Sequence, residues 1–455
     1  MFYNRVREIT VLNRSLSRER KQFIVLYGRR RCGKSTLLRR VINHGDVYFL
    51  SSQTDQALQR ESLAHSLQDK IPGIQEATFS NWDAFFNFIN QSTRERFTLV
   101  LDEFPYLVQS APGLPSIINR YIDDRSQLNF DLVICGSSQQ MMRGLVLTAT
   151  APLYGRADEI IKIEPLSAGW LADHLPTVSS IDLVREFAIW GGVPRYWELR
   201  KDYESLSKAL TALILQPTGM MREEPKRLLL DDMREVTQAV SLLTVVAMGA
   251  NRSSEISARM QRPATDLSRP LNRLIELGYL EKEIPYGTPR QRSKTSLYKV
   301  ADPFLRFYYK MVFPNLSSLV PGQIESTWQR ISDRLDHFVS EEWEKLSRRA
   351  VGIHPELLPH GFTPGRWWGN GKDGLAFELD IVSLSTDKKL LLVGECKWSD
   401  VNNPDALETN LRAKAAQLPF YKGQEIIPVI LARSFIRQPD CINLTPDDVL
   451  GLLRL

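Results

Sequence analysis

The chain has 455 residues, too many for one hydrophobic core, so about two to four domains are expected at roughly 100–200 residues each. Its 43% apolar and 24% charged composition excludes a disordered class, and a net charge of +5 permits nucleic acid as a partner without requiring it. The longest apolar runs, near Leu242 and Ile426, are far shorter than the roughly 20 residues of a spanning helix, so no membrane segment is expected.

The start, "MFYNRVREITVLNR", is charged and lacks the apolar stretch and cleavage site of a secretory signal, which makes the cytoplasm the expected compartment. Cys32, Cys135, Cys396 and Cys441 lie far apart with no CxxC pair, so free buried thiols are expected rather than a disulfide frame or zinc cluster. From Gln22 to about Ile163, the apolar runs "QFIVLYG", "DVYFL", "FTLVLDEF", "FDLVICGSS" and "DEIIKIEPL" alternate with helical patterns. Continuous apolar strands between helices point to a parallel sheet covered on both faces, and residues 1–165 are expected to form an α/β core.

"GRRRCGKST" fits G-x-x-x-x-G-K-[ST] and directly follows an apolar strand. In such a loop, backbone N–H groups and a helix N-terminus cradle the phosphates of ATP. The expected nucleotide-binding residues are Gly28, Arg29, Arg30, Arg31, Cys32, Gly33, Lys34, Ser35 and Thr36, with Lys34 supplying charge and the Ser35 hydroxyl ligating Mg²⁺. Asp102 in "TLVLDEF" would hold Mg²⁺ through water, and Glu103 would orient and deprotonate the attacking water. "DVYFL" can supply a strand between these two motifs. Ser137 and Ser138, closing "LVICGSS", offer a polar side chain placed to sense the γ-phosphate, with Ser137 the expected residue, although a serine opening a helix caps it equally well. Arg156 in "PLYGRADEI" is a candidate for neutralising charge on the transferred phosphoryl group, with an ordinary surface arginine as the competing reading.

Residues 166–220 have the pattern of a small helical lid, with "AGWLADHL" and "IDLVREFAIW" followed by "GGVP". Residues 221–326 follow with three short helices, a hairpin with a polar tip and an aromatic linker helix, the order of a winged helix-turn-helix. Ser253 or Ser254 and Thr265 or Asp266 are plausible N-caps. Arg269 and Arg273 lie four apart on the second helix, and the wing carries Arg290, Arg292, Lys294 and Lys299, a basic strip suited to DNA phosphates. Pro270 fits the second helix only if that helix begins nearby.

Residues 327–455 have the order αβββαβ, with the second helix through Leu411 to Leu418. Period-two alternation puts Glu378 and Asp380 on one strand face and Glu395 and Lys397 on one face of the next. Carboxylates converging from adjacent strands repel unless a divalent cation lies between them, and oxygen ligands suit Mg²⁺ or Mn²⁺. Asp380, Glu395 and Glu344 are the expected ligands, with Lys397 activating a water for phosphodiester attack. Glu341 or Glu342 could replace Glu344.

"FYNRVREI", "GRRRCGKST", "LDEFPYL", "GSS", "PLYGR", "GGVPRY" and "YKVADPFLRFYY" together resemble the archaeal-type ATPases of the AAA+/STAND group, over nearly the whole chain. The resemblance implies an ATPase whose nucleotide state reorganises attached domains, with Pro194 and Arg195 near the nucleotide. Glu344, Asp380, Glu395 and Lys397 resemble the PD-(D/E)xK restriction-endonuclease-like fold. The expectation is therefore a P-loop ATPase with lid, winged helix and nuclease-like α/β domain, binding Mg-ATP and DNA and cleaving DNA. Two further readings stay open: a regulatory ATPase whose last domain only binds nucleic acid or protein, and a ring-forming homo-oligomer.

Overall fold

The computed structural model describes residues 3–124, 128–289 and 295–454. The chain divides into two compact units, one formed by Met1–Pro165 with Leu228–Arg234 and the other by Leu166–Arg227 with Glu235–Leu455.

The first unit is built on β1 (Phe23–Tyr27), β2 (Val47–Leu50), β3 (Thr98–Asp102), β4 (Asp131–Gly136) and β5 (Glu159–Lys162). All pair in parallel in the order β2-β3-β4-β1-β5. The five apolar runs thus form the expected parallel sheet. β2 precedes β3 in the chain but lies at the sheet edge, and β4 fills the gap between β1 and β3. That order brings the ends of β1, β4 and β3 side by side, where the phosphate loop, Ser137 and Asp102 emerge. On one face Trp82, Phe85, Phe86 and Ile89 of helix Trp82–Ser92 join a core with Phe97, Leu99, Leu101 and Phe130. Phe130 stacks between Phe86 and Phe97 at centroid distances of 6.5 and 5.5 Å. Each such buried aromatic contributes roughly 1.5–3 kcal/mol of burial, which keeps the sheet rigid beneath the loops at its edge.

The second unit begins with helices Ser180–Trp190 and Pro194–Lys201. The turn between them needs glycine: a Cβ on Gly192 would lie 1.9 Å from the Leu166 carbonyl oxygen. Helices Thr237–Ala247, Ser253–Met260 and Ala264–Glu276 follow, then an antiparallel hairpin of β6 (Leu280–Glu283) and β7 (Leu297–Val300). The expected caps differ from those observed. Arg252 is the N-cap of the second of these helices, its N–H donating to Glu255 at 3.0 Å, and Pro263 precedes the third. A glutamate three residues on satisfies the open N–H group of the cap residue, so no serine is needed there. Pro270 lies inside Ala264–Glu276, where it removes the donor due to the Asp266 carbonyl and the helix nevertheless continues.

The end of this unit is a mixed sheet of β8 (Gly365–Asn370), β9 (Ala376–Leu384), β10 (Leu390–Val401), β11 (Glu425–Phe435) and β12 (Ile442–Leu444) in the order β12-β11-β10-β9-β8. β8, β9 and β10 pair antiparallel, and β11 is parallel to both β10 and β12. The crossover helix runs Pro404–Ala416, starting earlier than the apolar pattern implied because Asn403 caps it, accepting from Ala406 N at 3.1 Å, with Pro404 in its first turn. β12 and a final helix, Pro446–Leu452, extend the expected order. That helix returns to residues 168–170, where a Cβ on Gly169 would meet Leu450 O at 2.4 Å.

Candidate functional site

The loop after β1 has the backbone its glycines imply. Gly28 has φ +153°, and a Cβ there would lie 2.3 Å from Ile163 O; Gly33 has φ +87° and precedes helix Lys34–Val41. Arg31 also adopts a positive φ of 67°. Lys34 is buried and its Nζ donates to the carbonyls of Gly28 at 2.8 Å and Arg29 at 3.1 Å. A phosphate oxygen in the loop would take the same donor. Ser35 and Thr36 are exposed at the helix start, while Cys32 is buried.

Ser35 Oγ donates to Asp102 Oδ2 at 2.6 Å. Tyr48 OH donates to the same oxygen, and Glu103 N donates to Oδ1 at 2.9 Å. Burial alone would raise the Asp102 pKa, but the donors Ser35 and Tyr48 outweigh it and hold the carboxyl below its usual value. Asp102 is therefore an anion at neutral pH, and it faces a serine hydroxyl. This hard oxygen pair fits Mg²⁺. Glu103 follows in the left-handed region at φ 51°, and its Oε2 accepts from Ser137 Oγ at 2.9 Å and Ser137 N at 3.2 Å. Strained backbone of this kind at a strand end is where catalytic carboxylates are found.

Besides Tyr48, three contributors to this region had no role in the sequence reading. Arg5, buried in "FYNRVREI", donates to Cys32 O at 3.1 Å and Glu164 O at 2.6 Å, tying the phosphate loop to the chain beyond β5. From the segment Leu228–Arg234, Asp231 pairs with Arg30 at 3.2 Å, and Asp232 Oδ1 accepts from Ser138 Oγ at 3.4 Å and Gln140 N at 3.3 Å. Only Arg5 lay in a motif that drew attention. The aspartates are almost two hundred residues from the loop and carry no local pattern. Arg156 is exposed, with Nε 2.7 Å from Asp123 and 3.0 Å from Asn119. The structure thus engages it on helix Leu114–Asp123.

In the second unit, Asp380, Glu395 and Lys397 sit on β9 and β10, and helix Leu335–Val351 supplies Glu344. Asp380 is buried and Oδ2 accepts from Cys396 N at 2.9 Å. Burial and the Glu395 carboxylate raise its pKa against that bond. Burial, then Asp380, push Glu344 up to about 7. Burial would favour a neutral Lys397, but Glu395, which accepts from its Nζ at 2.6 Å, holds the ammonium charged. Among the described residues no group of three or more His, Cys, Asp or Glu side chains has metal-holding geometry. The expected ligands are neighbours, yet cations occupy them: Arg348 lies 3.8 Å from Glu344 and donates to Asp380 O at 3.1 Å, and Lys414 lies 3.7 Å from Glu395.

The helix separates its glutamates. Glu341 and Glu342 pair with the buried Arg306 at 3.1 and 3.2 Å. Burial would raise Glu341, but Arg306 and nearby lysines outweigh it and hold it at about 2. Glu344 alone of the three feels Asp380 as a leading neighbour. Lys299 departs from its expected place in the wing's basic strip. It is buried, with Nζ 3.0 Å from the Glu283 carboxylate. Arg290, Arg292 and Lys294 lie outside the described residues, and Arg269 and Arg273 are exposed on their helix. Arg195 is exposed and pairs with Glu198 at 2.9 Å.

Residues 2–196 match a family described as an ATPase domain predominantly from Archaea, and residues 308–409 match one described as archaeal and bacterial proteins of unknown function. An uncharacterised protein of Methanocaldococcus jannaschii is 30% identical over 414 residues, 89% of each chain. The Walker-type ATPase PABY2304 of Pyrococcus abyssi is 20% identical, with a TM-score of 0.50 over 68% of this chain and 96% of that one. The ORC2 protein of Aeropyrum pernix is 12% identical, with a TM-score of 0.42 over 75% and 95%. No described helix is long and apolar enough to cross a membrane. The chain belongs to the family of the Methanocaldococcus protein and carries an archaeal-type P-loop ATPase domain.

Proposed function

We propose that the chain is a Mg-ATP-dependent switch acting on DNA, with nucleotide turnover in the first unit and a metal-dependent nuclease site in the second. The observation carrying the first half is the arrangement of Lys34, Ser35, Asp102, Glu103 and Ser137 around one sheet edge. Lys34 and the loop N–H groups hold the phosphates, and Ser35 and Asp102 hold Mg²⁺, which supplies charge neutralisation on the phosphates. Glu103, oriented by Ser137, positions a water and takes its proton. Lys34→Ala abolishes ATP binding, whereas Glu103→Gln retains it and lowers hydrolysis by about 10²–10⁴-fold, the contribution of a positioned base.

For the second unit, the helix–sheet order and the convergence of Glu344, Asp380, Glu395 and Lys397 support a restriction-endonuclease-like domain. The helices 237–276 with the β6–β7 hairpin support a winged helix presenting Arg269 and Arg273 to phosphates. A binding role without cleavage is favoured by Arg348 and Lys414, which already lie beside Glu344 and Glu395. The test is cleavage of linear, circular and single-stranded DNA with Mg²⁺ or Mn²⁺, with and without ATP, by wild type and Asp380→Ala. Cutting lost in the variant supports the nuclease; no cutting by either leaves the binding role. Light scattering with a slowly hydrolysed ATP analogue tests assembly, and a persistent monomer removes Arg156 from catalysis across subunits.

A further inference from the structure

We propose that Tyr48 is a positioning residue for the metal of the bound nucleotide, setting the Asp102 carboxylate in its metal-facing orientation before the ion arrives. The proposal rests on the assignment of Asp102 as the magnesium carboxylate. β2 lies beside β3 with Tyr48 opposite Val100 and Leu50 opposite Asp102, so the tyrosine sits below the carboxylate on the neighbouring strand. Its side chain reaches up to donate its hydroxyl to Oδ2, the oxygen that Ser35 also uses. The ring is held from the other side by the Arg39 guanidinium, 3.9 Å from the ring centroid. Arg39 belongs to helix Lys34–Val41, which the phosphate loop opens. The phenol is therefore braced by the same helix that presents Lys34 and Ser35.

The donors to Asp102, which are Ser35, Tyr48, the Cys135 thiol and the Glu103 N–H, stand differently toward an incoming ion. A serine hydroxyl that becomes a metal ligand turns a lone pair to the cation, so its position is then set by the ion as well as by the carboxylate. The Glu103 N–H is fixed by backbone. Tyr48 donates from the neighbouring strand without being a metal ligand itself, and it keeps one lone pair of Oδ2 engaged so that the remaining ones face the ion's water shell. A carboxylate held in one rotamer loses less freedom on meeting the metal. Without the hydroxyl, Asp102 would have to be ordered at the moment of binding.

The experiment is calorimetric titration of the full chain with ADP, in Mg²⁺ and in EDTA, giving the factor by which magnesium tightens the nucleotide. Tyr48→Phe should leave the metal-free ADP affinity within about two-fold and cut the magnesium factor about five- to ten-fold, within the net range of one ordinary hydrogen bond. The spectrum of Mn²⁺ bound with ADP should broaden in the same variant. Arg39→Ala, which frees the ring and keeps the hydroxyl, should give a smaller loss of the same sign. An unchanged or larger magnesium factor in Tyr48→Phe overturns the proposal, and so does loss of metal-free binding, the mark of a merely structural tyrosine. Asp102→Asn separates the two levels. If that variant keeps the full magnesium factor, the assignment of Asp102 itself is wrong.

Discussion

Gly28 shows how little room the phosphate loop leaves. Its φ of +153° is costly for an L-residue, and a Cβ there would sit 2.3 Å from the Ile163 carbonyl oxygen, a backbone atom that cannot step aside. Gly28→Ala should destabilise the first unit by about 2–4 kcal/mol and abolish ATP binding, read by thermal unfolding and nucleotide titration. The glycine was legible because the loop pattern itself demands it. The Ser137–Glu103 bond was not, since it depends on β4 lying beside β3, a placement that no local pattern encodes. Ser137→Ala should lower kcat for ATP about ten- to a hundred-fold with nucleotide affinity unchanged, because the hydroxyl orients a base rather than a phosphate. A matching loss of affinity would instead assign Ser137 to γ-phosphate contact.

Helix Leu335–Val351 carries Glu341, Glu342 and Glu344 within about one turn, and the structure gives them different work. The sequence identified the helix and the E-x-K strand but left three glutamates in competition. The decision lies with Arg306, some thirty-five residues earlier, which neutralises two of them. Glu344 is left with a pKa of about 7 against an ordinary value of 4.5. Between those values the folded chain holds a proton that the unfolded chain has released. Stability is therefore unaffected by this group below about pH 4.5 and falls as pH rises through about 7, by up to roughly 3 kcal/mol. Urea unfolding followed through Trp343 and Trp398, whose rings lie 5.4 Å apart beside this helix, should show that fall between about pH 4.5 and 7 and a level above it, and Glu344→Gln should flatten it. At pH 8, where Glu344 is already ionised, Mn²⁺ should restore part of the lost stability, and at pH 6 it should release a proton on binding if the site takes metal. Metal without effect on either quantity would leave the carboxyl as a buried acid with no ion to serve.

For the molecule as a whole, the segment Leu228–Arg234 matters more than its length suggests. Alternation and turn chemistry located the strands and most helices, but they cannot tell which elements share a core. A short run between two stretches of the second unit is therefore indistinguishable in sequence from its neighbours, yet it is counted with the first unit. There Asp231 meets Arg30 of the phosphate loop and Asp232 meets the chain just after β4. If nucleotide draws Arg30 toward phosphate, its pairing with Asp231 weakens, and the chain on both sides of the segment continues into the second unit. An exposed pair of this kind is worth only about 0.2–1 kcal/mol, so it suits a response to nucleotide rather than a structural tie. Replacing both acids, Asp231→Asn with Asp232→Asn, should therefore leave ATP affinity within about three-fold while removing the ATP-dependent part of hydrogen exchange in the second unit. Exchange there that still changes fully on ATP binding in this double variant would place the coupling elsewhere. An ATP affinity lost together with the response would make the segment part of the nucleotide site itself.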